Sequence, residues 1–208
     1  LAPETSPGAG SATADRPAAK LGRNRTRQGA AHQNGLRGLR LTPLPAALGS
    51  SGFVAWRLER EKYVPTWDTA EGAFQVGGRW SSKGRRVIYA SLDPATTILE
   101  VAVHKGFNVL DRVPHRLLEV EIDAAPVYVV QKSAISNPNW LQSGTISPNQ
   151  QAFGDALLSE HPLVLIPSVV SGHSWNLLID TATATGTFRL RNDERFALDT
   201  RLLPGVHP

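Results

Sequence analysis

Beyond residue 52 the chain breaks into short apolar runs that outnumber its helical stretches and do not alternate with them, which restricts it to an α+β fold with a mostly antiparallel or split sheet. A doubly wound parallel sheet would need a helix between strands. Residues 53–58 and 86–90 read as apolar strands, while Leu118, Val120 and Ile122 alternate with Glu119 and Glu121 in the manner of a strand buried on one face. Residues 127–130, 163–166, 175–179 and 196–198 complete the expected set of strands. Asp93-Pro94 is a helix start, a capping acid before proline at the first helical position, and Ile98, Val101 and Ala102 supply the apolar stripe of a helix ending near residue 104. Ser147-Pro148 opens a second helix through residue 158, with Phe153, Ala156 and Leu157 spaced to face a core.

The 208 residues suit one domain with an extension. We expect the division to fall at residue 52: a basic extension over 1–52 and the folded domain over 53–208. Residues 1–50 hold seven basic side chains against Glu4 and Asp15, a balance of +5, so the formal charge of +4 leaves −1 for the remaining 158 residues. The extension is rich in Ala, Gly, Pro, Ser, Thr and Arg and has no aromatic residue, so it is expected to be disordered, artificial or cleaved. The folded part is near neutral and is not expected to bind nucleic acid.

No apolar run nears the roughly 18 residues that cross a bilayer, and no segment reads as a signal peptide, so a soluble cytoplasmic protein without membrane contact is expected. The absence of cysteine excludes disulfides, a thiolate nucleophile and cysteine-ligated metals. The six histidines show no paired ligand spacing, and no metal is expected. Gly77-Gly78 lacks the Gly-x-Gly-x-x-Gly frame and no phosphate-loop motif occurs, so a Rossmann-held hydride carrier is not expected either.

Chemistry-bearing residues concentrate in one stretch: Gly77-Gly78-Arg79-Trp80-Ser81-Ser82-Lys83-Gly84, then Arg86-Val87-Ile88-Tyr89-Ala90-Ser91, then a helix carrying Glu100. Each has a functional and a structural reading. Arg79, in a glycine-flanked loop, suits a diphosphate, because a guanidinium makes two parallel charge-assisted hydrogen bonds to anionic oxygens. Arg57, at a strand end, would grip a ribose or phosphate, or else form a surface ion pair. Tyr89 is either a ligand-stacking or hydrogen-bonding aromatic or a core-edge residue with a wet tip. Glu100 shares a helix face with Thr96 and His104 and is either an active-site carboxylate or a solvated one. Ser168 lacks a nucleophile elbow and a partnered histidine, so it orients neighbours or caps a turn. Asn176 supports the site or ties two loops together. Lys83, Arg85 and Arg86 read as a solvated turn.

The ordered succession Trp56-Arg57, Gly77-Gly78-Arg79-Trp80, Val87-Ile88-Tyr89-Ala90-Ser91, Thr97-Ile98-Leu99-Glu100-Val101, Ile166-Pro167-Ser168 and Trp175-Asn176-Leu177-Leu178 resembles the RES-domain family over about residues 53–203. Two departures from the family pattern are Ser81, where Asn is common, and Ile179-Asp180, where Asn-Pro is common. The resemblance implies a fold related to the ADP-ribosyltransferases and a toxin of a bacterial toxin–antitoxin pair that consumes NAD+ as a substrate rather than a cofactor. Cleavage of the nicotinamide–ribose bond would pass ADP-ribose to phosphate, water or a target protein. It further implies an Xre-type antitoxin that occludes the active site. Carried over residue by residue, the catalytic positions are Glu100, Arg57 and Ser168, and the NAD+-binding positions are Arg57, Arg79, Tyr89, Ser168 and Asn176.

Physical chemistry agrees with a single carboxylate for this reaction. Nicotinamide leaves a cationic pyridinium as a neutral molecule, so no acid need protonate it, while the sugar passes through an oxocarbenium-like state that a carboxylate stabilises. Two other classes remain open at this level: a ribonuclease or nucleic-acid-binding toxin, and a nucleotide-binding module without turnover.

Overall fold

The computed structural model describes residues 51–142 and 146–203. Of the expected basic extension, only Ser51 and Gly52 fall among them. Seven strands form one sheet: β1 (Phe53–Arg60), β2 (Val87–Ser91), β3 (His115–Ile122), β4 (Tyr128–Val129), β5 (Leu163–Pro167), β6 (Trp175–Asp180) and β7 (Phe188–Phe196). Their spatial order is β4-β5-β6-β2-β1-β3-β7, and every neighbouring pair is antiparallel except β4–β5. The α+β expectation with a mostly antiparallel sheet therefore holds.

The sheet is nearly two sheets. β1 pairs with β3 over eight Cα partners and β2 with β6 over five, yet β1 and β2 share one, Trp56 opposite Ser91. Beyond that pair the strands part. Backbone groups along the parting edge need partners that a ladder would otherwise supply, because an unpaired buried peptide group is costly. Side chains supply them: Thr97 Oγ1 donates to the Trp56 carbonyl at 2.7 Å, and Arg57 Nη1 donates to the Tyr89 carbonyl at 2.9 Å.

Burial on both faces explains the unbroken apolar runs of β5 and β6, whose residues are all buried. One face packs Ala55, Ile88, Ala90, Leu165, Leu177 and Ile179 against Trp67. The other face divides at the split. Val87, Val164, Ile166 and Leu178 pack under Trp80, Trp140 and Leu158, whereas Leu58 and Leu117 pack under Ala102 and Leu110. The first of these clusters is roofed by α4 (Pro148–Glu160) and the second by α2 (Pro94–Lys105) with α3 (Phe107–Arg112). A short α1 (Glu71–Val76) precedes the Gly77-Gly78 loop.

The α2 start is as expected: Asp93 caps it by accepting from the Thr96 backbone N–H at 2.8 Å, with Pro94 in the first turn. Two expectations fail. The last strand is Phe188–Phe196 rather than 196–198; as an edge strand it needs no apolar run, and its charges pair across to β3, Arg189 with Glu121 and Asp123, Arg191 with Glu119, and Asp193 with Arg116. On α4, Ala156 is exposed, and the fully buried line is Gln150, Gly154 and Leu158, one residue in four. Glycine reads as a helix breaker, so that line carries no apolar signature where the helix presses closest to its neighbour.

Candidate active site

The carboxylate expected at the centre is held from the far half of the sheet. Glu100 sits at the middle of α2, next to the split, and its Oε1 accepts two hydrogen bonds: from Ser168 Oγ at 2.9 Å and from Asn176 Nδ2 at 2.5 Å. Ser168 follows the end of β5 and is fully buried; Asn176 lies on β6. Ser168 Oγ also accepts from the Ser171 backbone N–H at 3.0 Å, and Asn176 Oδ1 accepts from Ser91 Oγ at 2.8 Å. Two donors, each held by a further hydrogen bond, thus fix one oxygen. Glu100 Oε2 has no hydrogen bond among the described residues, and the residue is partly exposed.

Arg79 is carried by a loop whose backbone is clamped while its guanidinium is not. Gly78 N–H donates to the Ser81 carbonyl at 2.8 Å, closing the turn, and Gly77 adopts φ +74°, a conformation that favours glycine. Gln151 Nε2 donates to the carbonyls of Gly78 at 2.9 Å and Ser81 at 3.1 Å, and both Asp155 oxygens accept from the Ser82 N–H at 3.2 Å. A Cβ on Gly154 would lie 2.0 Å from the Trp80 carbonyl, so α4 meets this loop backbone to backbone. The Tyr89 hydroxyl accepts from the Trp80 N–H at 3.2 Å and lies 2.8 Å from Ser81 Oγ. Burial pushes the Tyr89 hydroxyl up to about 12, keeping it protonated and able to bond this loop. Ser81, the departure from the family pattern, serves here as the partner of that hydroxyl.

Among the described residues Arg79 itself has no hydrogen bond or ion pair. His104 is held below the usual imidazole range, chiefly by burial and then by Lys105, with Glu100 opposing and Arg79 adding to the depression.

Arg57 is placed differently. Its Nε donates to Glu59 Oε2 at 3.0 Å, its Nη2 pairs with the same oxygen at 2.5 Å, and Nη1 takes the Tyr89 carbonyl. The ion-pair reading of Arg57 is therefore present, at the split. Arg85 departs from the solvated turn expected of it: its Nε donates to the buried Asp180 at 2.8 Å, and its Nη1 donates to the Asp155 carbonyl at 2.9 Å. Arg86 pairs with Glu71 and lies over the Phe74 ring.

The structure joins Glu100, Ser168 and Asn176 directly, and joins Arg57, Tyr89 and the Arg79 loop through Tyr89. Sequence reasoning passed over Glu59, Gln151, Gly154 and Asp155, and quoted Ser91 within a motif without giving it a role; of the residues passed over, Glu59 left no trace. Gln151, Gly154 and Asp155 left one, a spacing of three and one along a single helix face. Among the described residues no group of three or more His, Cys, Asp or Glu side chains is placed to hold a metal ion, and no helix is long and apolar enough to cross a membrane.

A split, mostly antiparallel sheet with a carboxylate, a serine and an amide joined at its division defines an α+β protein. The RES domain family model matches residues 54–199, and the chain belongs to that family. It is 23% identical over 154 residues to Toxin Res of Photorhabdus laumondii, covering 73% of this chain and 97% of that one. It is 28% identical to Toxin Res of Pseudomonas putida over 72% of this chain and 99% of the relative, and 28% identical to the Prs ADP-ribosylating toxin of a Sphingobium species over 71% and 95%. The solved M. tuberculosis MbcT–MbcA toxin–antitoxin complex has the same fold, with a TM-score of 0.53 at 19% identity over 70% of this chain and 85% of that chain.

Proposed function

We propose that this protein is a toxin of a bacterial toxin–antitoxin pair that cleaves the nicotinamide–ribose bond of NAD+ and transfers ADP-ribose to an acceptor. The observation that carries the reading is Glu100: one carboxylate oxygen is locked by two donors, and the other makes no hydrogen bond among the described residues. The relatives named Toxin Res and Prs ADP-ribosylating toxin, and the neighbour solved in a toxin–antitoxin complex, support the same class.

NAD+ is bound as substrate, and no resident cofactor or metal is needed. The Arg79 guanidinium takes the diphosphate, and its flexible side chain on a rigid loop can follow the phosphates as the dinucleotide settles. The bond from the anomeric carbon to the pyridinium nitrogen breaks with its electron pair going to nicotinamide, which departs neutral. Positive charge grows on the ribose. The free Glu100 oxygen faces that charge or the adjacent 2-hydroxyl, and because Ser168 and Asn176 already hold the carboxylate, no reorganisation is required at the moment of cleavage. The acceptor, whether phosphate, water or a protein side chain, then attacks the anomeric carbon and loses its proton to solvent. Arg57, oriented by Glu59, lends positive charge at the split and binds the nicotinamide ribose or a phosphate. The reaction belongs to the cytoplasm, and an Xre-type antitoxin that covers this site is the partner.

The test is nicotinamide release from NAD+ by the purified protein. The wild type should release it, and Glu100→Gln should keep the fold and lose the activity. A wild-type protein that leaves NAD+ intact, or a Glu100→Gln variant as fast as wild type, would overturn the reading. Product masses with and without phosphate, and with cell extract, identify the acceptor.

A further inference from the structure

Asn176 can hold Glu100 only in one of its two orientations. Its side-chain amide has a donor end and an acceptor end of nearly equal size, and a flip would turn Oδ1 toward Glu100 Oε1, setting acceptor against acceptor. The acceptor-only Glu100 carboxylate selects the donor end, and the group facing the other end then holds the amide in place. Ser91 Oγ donates to Asn176 Oδ1 at 2.8 Å, while Asn176 Nδ2 donates to Glu100 Oε1 at 2.5 Å, so the amide is held at both ends. Among the described residues no other donor reaches that Oδ1.

Ser91 is suited to this by its position. It lies directly opposite Asn176 in the β2–β6 ladder, so the two side chains share a face, and it is opposite Trp56 in the single β1–β2 pair that marks the split. It is 2% exposed and Asn176 9%, so water does not compete for the hydrogen bond. Alanine there would leave the buried amide oxygen without its donor and the amide held at its Glu100 end alone. We propose that Ser91 is a positioning residue: it sets the Asn176 amide, and through it the Glu100 carboxylate, for the reaction proposed above. The inference rests on that reading for its consequence in catalysis, but the orientation of the amide does not depend on what the site binds.

The experiment therefore has two readouts on the full chain. The first is the side-chain amide signal of Asn176 in 15N-labelled protein, assigned by its disappearance in Asn176→Ala. Ser91→Ala should shift or double this signal and speed exchange of its protons with water, while Ser91→Cys, nearly isosteric and a weak donor, should fall between Ser91→Ala and wild type. The second is nicotinamide release. Ser91→Ala should lower kcat by about tenfold, the scale on which outer partners of a catalytic group act, and leave KM for NAD+ within about twofold. Added to Asn176→Ala, it should have no further effect on kcat, since both changes break one chain of contacts. An unaltered Asn176 signal in Ser91→Ala overturns the proposal, as does a loss in the double variant equal to the product of the two single losses. If the wild type releases no nicotinamide, the functional reading fails, and the amide signal still decides the role of Ser91. Should Ser91→Ala fail to fold, the Ser91→Cys comparison decides by the same criteria.

Discussion

The Glu100 region and the Arg79 loop are both rigid, but the protein spends that rigidity differently. At Glu100 the functional group itself is fixed, one carboxylate oxygen receiving Ser168 from just past the end of β5 and Asn176 from β6 in the opposite half-sheet. At Arg79 the backbone is fixed, through Gln151, Gly154, Asp155 and Tyr89, and the guanidinium is left without a partner. The contrast fits two tasks. A group that meets charge developing in a transition state gains from being immobile beforehand, whereas a group that captures a long, flexible diphosphate must reach and adjust. Arg57 lies between these cases, its guanidinium already held by Glu59 and the Tyr89 carbonyl.

The sharpest way to break the comparison is Glu100→Gln, which keeps shape and removes the charge. We expect nicotinamide release to fall by about a thousandfold or more with little change in thermal stability, as for other losses of a preorganised electrostatic group. Next in size is the clamp beneath the loop. Gly154→Ala forces a methyl against the Trp80 carbonyl and should cost about 1–3 kcal/mol in thermal or denaturant unfolding. Gly72→Ala, on α1 with open space around it, should be neutral or stabilise by up to about 1 kcal/mol, so equal effects would contradict the close approach.

Arg79→Ala should raise KM for NAD+ by about tenfold or more, the worth of a charge-assisted contact, and change kcat less. An unaltered KM would remove Arg79 from the diphosphate. The smallest effect concerns Tyr89. Its hydroxyl titrates at about 12 in the folded protein against the ordinary 10, so the unfolded chain loses its proton first and stability should fall as pH rises from 10 to 12. Tyr89→Phe should lack that fall when unfolding is followed across this window, at the cost of leaving the Trp80 N–H and Ser81 hydroxyl without their partner.

The sequence made legible the elements whose pattern follows from burial. β5 and β6 are apolar throughout because both faces are covered, and the Asp93-Pro94 cap announces α2. β7 was not legible, since an edge strand with one neighbour is built from charges that pair across to β3. The contact surface of α4 was hidden for the opposite reason: its closest approach is made by Gly154, which has no side chain to signal it. Glu100, Ser168 and Asn176 could be picked out by motif, but they lie 68 and 76 residues apart in pairs, and no spacing rule brings such partners together. Ser91, though quoted in a motif, was given no role, and Glu59 was missed, because each acts on another side chain rather than presenting chemistry of its own. Such residues become visible only when the strand register is known.

A crystal structure of the Glu100→Gln protein with intact NAD+ tests the central claim most directly. The account predicts the diphosphate on the Arg79 guanidinium and the residue 100 side chain within hydrogen-bond distance of the nicotinamide ribose, still held by Ser168 and Asn176. Dinucleotide bound elsewhere, or a residue 100 side chain turned to solvent and away from the sugar, would contradict it.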